Sequence, residues 1–169
     1  LAGGGQHALM GTHNRLLGLG DLYFEVIAID PTAPAPPFAR WFDLDRFTGP
    51  PRLTTWICRA DLDAPPPEAG RIHQVARGDL RWRMGVTDSG ALPFGGTYPA
   101  LIQWQGNLHP VQRLPDSGAR LRRLEIATPD PDALRAALPG FEDPRVILTP
   151  GAPAFRATFD TPHGARVLT

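Results

Sequence analysis

The chain has 169 residues, is 42% hydrophobic and 20% charged, and carries 17 basic and 17 acidic residues for a net charge of zero. This balance describes a globular domain rather than a disordered one, and it lacks the electrostatic footprint of a nucleic-acid or anionic-membrane partner. No apolar run approaches the roughly 20 residues that span a bilayer, and the start LAGGGQHALMGTHN has neither the basic opening nor the apolar core of a signal peptide, so a cytoplasmic location is expected.

The first expected strand covers 13–20, HNRLLGLG, and the clearest covers 21–29, DLYFEVIAI, which is rich in aromatic and β-branched types. Residues 31–51 are Pro-rich and read as an extended linker, pinned to the body by Trp41 and Phe42. A strand follows over 52–60, then DLDAPPPEAG at 61–70, where three consecutive prolines permit a turn or two of helix at most. Strands are expected near 72–77, 79–87 and 98–105.

Arg120-Leu121 opens the next strand, RLRRLEIAT. Pro129-Asp130-Pro131-Asp132-Ala133 is a helix start, with the helix expected to reach about Leu138 and Gly140 to end it. Strands follow near 145–149, 154–160 and 164–168. Two stretches thus share one order of strand, Asp-led helix and three strands, a degenerate internal repeat of about 50–65 residues. Residues 1–29 hold only the late strands of such a unit, so a loss of about 30 residues from its start is expected.

Few nucleophiles are available. Cys58 is the only cysteine, which precludes an internal disulfide, and its apolar strand context, LTTWICRAD, reads as a buried inert thiol. Ser89 and Ser117 are the only serines, and both lie in Asp-Ser-Gly turns. Gly3-Gly4-Gly5 lacks the Gly-Lys-Ser/Thr ending of a phosphate cradle.

Glu25 carries the most information. It sits inside Tyr23-Phe24-Glu25-Val26-Ile27, where alternation places Tyr23, Glu25 and Ile27 on one face. A carboxylate in an apolar strand needs a partner or takes up a proton. That partner is either a ligand or a structural ion pair with an arginine. His13 and Asn14 lie on the neighbouring strand, from which His13 is expected to approach Glu25 if the two strands pair. His7, His13 and Glu25 form a candidate set for a divalent metal. Leu80, Trp82 and Met84 share an apolar face. Gln103 is a polar residue in an apolar strand, and His109 sits in a loop before Pro110.

These residues resemble a known family. Gly11-Thr12-His13-Asn14-Arg15-Leu16-Leu17, followed by Leu22-Tyr23-Phe24-Glu25-Val26-Ile27-Ala28, looks like the start of a glyoxalase-like domain. That group is similar to the glyoxalase, bleomycin-resistance and extradiol-dioxygenase proteins of the vicinal oxygen chelate superfamily. Arg40-Trp41-Phe42, Leu80-Arg81-Trp82-Arg83 and Ile102-Gln103-Trp104 with His109-Pro110 fit the same group. The resemblance covers roughly residues 1–115 well and the remainder to 169 loosely.

It implies an α+β fold of repeated βαβββ modules, mostly antiparallel, curled into a cup, and a homodimer. The expected layout is the end of a first module at 1–30, a linker at 31–51, a second module at 52–118 and a third, loosely similar module at 119–169. Metal-dependent members place ligands on the first and last strands of each module. Glu25 matches the first module's glutamate. Thr54, Thr55 and Trp56 stand where a second-module His is expected, and Gln103 stands near a second glutamate, where Gln binds hard cations poorly.

The expected function is binding or sequestration of a small molecule, with Glu25 as the reactive group and His13, Asn14, Trp82, Gln103 and His109 as ligand contacts. The alternatives are a lyase or isomerase using Glu25 as base or metal ligand, and a structural dimerisation domain built on unpaired strand edges.

Overall fold

The computed structural model describes residues 1–169. Strand makes up 41% of the chain and helix 12%, so cohesion rests on sheet faces. The helical part of the expected α+β fold reduces to one six-residue α-helix and four 3-10 turns.

The first sheet is an antiparallel meander of β1 (Ala2–His7), β2 (Thr12–Gly18) and β3 (Tyr23–Ile29). In β2 burial alternates: Thr12, Asn14 and Leu16 face inward while His13 and Arg15 are exposed. β1 lies outside every expected strand, because its Gly3-Gly4-Gly5 run has no β propensity. Glycine is nonetheless required there. Gly4 has φ 108°, and a Cβ on it would stand 2.2 Å from the Asn14 carbonyl oxygen.

The second sheet runs in the order β4 (Ile57–Arg59), β7 (Ala100–Trp104), β6 (Leu80–Val86), β5 (Arg71–Arg77), with β4 and β7 parallel. β4 is much shorter than the expected 52–60, since only three residues pair with β7. The helix expected after it is a single 3-10 turn, Pro67–Ala69, placed by the prolines rather than by Asp61.

The third sheet has the order β11 (Gly164–Leu168), β10 (Ala154–Thr161), β8 (Arg120–Thr128), β9 (Val146–Pro150), with β8 and β9 parallel. α1 (Pro131–Ala136) connects β8 to β9, with the Asp130 carboxylate accepting from the Ala133 N–H at 2.9 Å. It stops short of the expected Leu138. The two four-stranded sheets differ in strand order. β4 pairs with the last strand of its sheet, whereas β8 pairs with the two strands that follow α1. The sequence repeat is therefore not reproduced as one topology.

Two apolar clusters hold the sheets together. One contains Trp56, Cys58, Tyr98, Leu101, Leu124, Ile126, Leu134 and Phe159, and packs the third sheet onto the back of the second. The other contains Met10, Trp41, Phe42, Val75, Trp82, Met84 and Ile102, and fills the concave side facing the first sheet. β7 serves both clusters by alternation, Leu101 one way and Ile102 the other. No helix is long and apolar enough to cross a membrane.

Gly85 fixes the approach of the Pro67–Ala69 turn to β6. A Cβ there would stand 2.3 Å from the Ala69 carbonyl oxygen, a backbone atom that cannot swing aside. Gly85→Ala should lower stability by about 2 kcal/mol through overpacking. The check is a lower urea midpoint at unchanged denaturant slope.

Candidate functional site

A small polar cluster sits where the first sheet faces the second. Glu25 on β3 pairs in register with Leu16 on β2, so the even-numbered residues of β2 share its face. Asn14 donates from Nδ2 to Glu25 Oε1 at 2.6 Å. Its Oδ1 accepts from the Gly5 N–H at 3.0 Å and from Arg77 Nη1 at 2.8 Å. Both of those groups only donate, which fixes the orientation of the amide.

Arg77, at the end of β5, also donates to His7 Nε2 at 3.1 Å. Guanidinium has no acceptor, so Nε2 is unprotonated and the Nδ1–H donates to Thr12 Oγ1 at 3.0 Å. Burial, followed by the Arg77 charge and then His13, lowers the pKa of His7 to about 4, so the ring is neutral at physiological pH.

Glu25 is half-buried and lines the cavity of this cup. Its recorded hydrogen bond is the one from Asn14, made to Oε1. Desolvation raises its pKa, outweighing the opposing effects of the Asn14 hydrogen bond and the Arg77 charge. Burial likewise holds the Tyr23 hydroxyl in its protonated form. Trp41, Trp82 and Trp104 wall the cavity, with Trp82 and Trp104 5.2 Å apart and His7 edge-on to Trp41 at 5.1 Å.

The cavity has a volume of about 30 Å³. A second, open groove of about 620 Å³ lies outside it, lined by Arg59, Asp61, Gln103, Asn107, His109 and Gln112. Trp104 lines both spaces.

The structure thus gathers His7, Asn14, Glu25 and Trp82 from the sequence-derived set, and leaves the others outside the cup. His13 is exposed on the opposite face of β2, opposite Ala28, so the expected approach to Glu25 does not occur. Gln103 belongs to the outer groove, where its Oε1 accepts from Arg83 at 3.0 Å and its Nε2 donates to Asp61 at 3.3 Å. His109 is a helix cap as well as a groove residue. Its Nδ1 accepts from the Val111 N–H at 3.3 Å, and its ring lies 5.0 Å from Trp104 and 5.8 Å from Tyr23.

Two members were missed by sequence reasoning. Arg77 falls on the inward face by alternation from buried Val75, which was the available signal. The sequence marks Trp41 only as an anchor for the linker.

The residues present do not fit a divalent metal. No three His, Cys, Asp or Glu side chains converge. Both nitrogens of His7 are engaged, and a cation on Nε2 would face the Arg77 guanidinium. Cys58 is 6% exposed with its thiol pKa raised by burial, so it is no nucleophile.

A family model described as a glyoxalase-like domain matches residues 1–141. No curated protein and no solved structure matches the chain.

Proposed function

We propose that this chain, which belongs to the glyoxalase-like domain family, binds a small organic molecule in the cup between its first and second sheets without transforming it. The observation that carries this reading is Glu25: one carboxyl oxygen is tied to Asn14, and the side chain lines a tryptophan-walled cavity without forming an ion pair. A structural carboxylate would have paired with one of the 17 basic residues, and Arg77, which lines the same cavity, is spent on neutral acceptors instead. Asn14 and Trp82 act as ligand contacts in this reading, and Gln103 and His109 serve the outer groove. The module boundaries expected at 31, 52 and 119 belong to the same reading, supported by one sheet falling within each of the three module ranges.

Tryptophan emission tests the proposal. Ligands that enter the cup should quench or shift it, because three of the four tryptophans line the cavity. Glu25→Gln should weaken a ligand that donates to the carboxylate by about tenfold or more. A flat response across small polar and aromatic compounds would remove the binding reading.

One observation favours a catalytic second reading. Burial raises the pKa of Glu25, which makes its carboxylate a stronger base than a free glutamate. In that case Glu25→Gln abolishes turnover of a carbon-acid substrate while the melting curve is kept, whereas unchanged turnover excludes Glu25 as the base.

A further inference from the structure

We infer that the cup takes the carboxylate of an organic acid as the head group of its ligand, seated between the Trp41 indole N–H and the Arg77 guanidinium. The inference rests on the reading of the cup as a small-molecule site and names the chemistry that site selects.

Trp41 is 3% exposed, and its Nε1 is buried without any hydrogen-bond partner in the protein. Buried donors are almost always satisfied, so an orphan in the wall of a cavity marks the place of a missing acceptor. The segment that carries it is strained. Phe42 and Asp43 both hold left-handed backbone, φ 58° and 57°, which non-glycine residues rarely adopt. Phe42 lines the same cavity, and the Asp43 N–H is anchored to the Gly90 carbonyl at 2.9 Å. Strain of this kind persists where the surroundings enforce it, and Trp41, which precedes the strained pair, lines the cup.

Arg77 supplies the charge. Its recorded hydrogen bonds go to the neutral His7 ring and the Asn14 amide oxygen, and it joins none of the ion pairs of the chain. A guanidinium with neutral hydrogen-bond partners, lining the same cavity as a tryptophan whose N–H is an orphan, makes a donor set that complements a carboxylate. Burial raises the pKa of Glu25, which lessens its opposition to an anion in the same cup.

The size of the space agrees. About 30 Å³ holds a group on the order of two or three heavy atoms, not a ring. The body of the acid then lies past Trp104, where the outer groove opens.

The test is calorimetric titration of the full chain with propanoate and benzoate, each against its matched amide, propanamide and benzamide. The acids should bind about tenfold tighter than the amides, the margin of a charge-assisted hydrogen bond. Arg77→Met should remove that preference and Arg77→Lys should retain it. Trp41→Phe keeps an aromatic ring but lacks the N–H, and should weaken both acids by about fivefold to tenfold. Amides that bind as tightly as the acids, or a preference that survives in folded Arg77→Met, overturn the carboxylate inference and leave the cup as a binding site. Should Arg77→Met fail to fold, Trp41→Phe decides, and unchanged acid affinity in that variant overturns the inference. If none of the four probes binds, the carboxylate inference is overturned, and the tryptophan-emission screen decides separately whether the cup binds small molecules.

Discussion

Trp82→Ala should remove about 3–5 kcal/mol of stability, the largest single loss expected from any side chain of the cup. Trp82 is 4% exposed on β6 and is paired in register with Val75 on one side and Trp104 on the other. Its ring lies 5.2 Å from that of Trp104 and 5.9 Å from His7, edge-on to the latter. Truncation forfeits the buried area of the indole and leaves a void, because strands on both sides hold the walls apart. Domains of this size carry about 5–15 kcal/mol in total, so the variant sits near the limit of folding. The melting temperature should fall on the order of 10 °C. Trp82→Phe retains a ring in the same place and should lose much less. Urea unfolding of the two variants side by side is the check, and equal losses would show that the six-membered ring is not what fills the site.

What could be read from the sequence followed what is encoded locally. β2, β3, β6 and β10 were legible because alternation and β-branched residues are properties of a few neighbours. β1 was not, because its pairing depends on glycine's tolerance of positive φ and on the close approach of Asn14, which composition does not record. The shortening of β4 has a similar cause. The Trp56 carbonyl accepts from the Ala100 N–H, and its indole donates to the Thr97 carbonyl at 2.9 Å, so the chain enters the sheet through a tryptophan bridge rather than a ladder.

The importance of Glu25 was legible from chemistry alone, since a carboxyl in an apolar strand has to be accounted for. Its partner was not. Register parity decides between His13 and Asn14, and a one-residue slip exchanges them. Pairing Leu16 with Glu25 chose Asn14. Arg77 reaches the cup from 63 residues beyond Asn14 and 70 beyond His7, through the curling of one sheet onto another. Alternation from Val75 turns Arg77 inward, but no local pattern records the curling that brings it to Asn14 and His7.

Lowering the pH from 7 to 4 should cost about 3 kcal/mol of stability through His7 alone. The ring is 3% exposed, and its pKa falls from 6.5 to about 4, by burial first and then by the charge of Arg77. Between those two values the unfolded chain binds a proton that the folded chain refuses. Stability therefore drops as pH falls through 6.5, and the loss levels off near 4, where both forms are protonated.

Glu25 works in the opposite sense. Its raised pKa means that the folded chain holds a proton longer, so its contribution is complete below 4.5 and is lost as pH rises through the folded value. Glu25→Gln should remove that alkaline-side loss and leave the acid-side decline untouched. Asp30, Asp45, Asp79, Asp116 and Asp143 have pKa values lowered from 3.8 by their partners, so their contributions fade only below that value, in a separate window. His73 and His109 are also lowered and share the window of His7, so the assignment rests on a difference. Urea midpoints measured from pH 7.5 to 4 should fall more steeply for the parent chain than for His7→Gln. Parallel slopes would mean that the ring of His7 accepts a proton in the folded state, and that the neutral acceptor on which Arg77 rests does not exist.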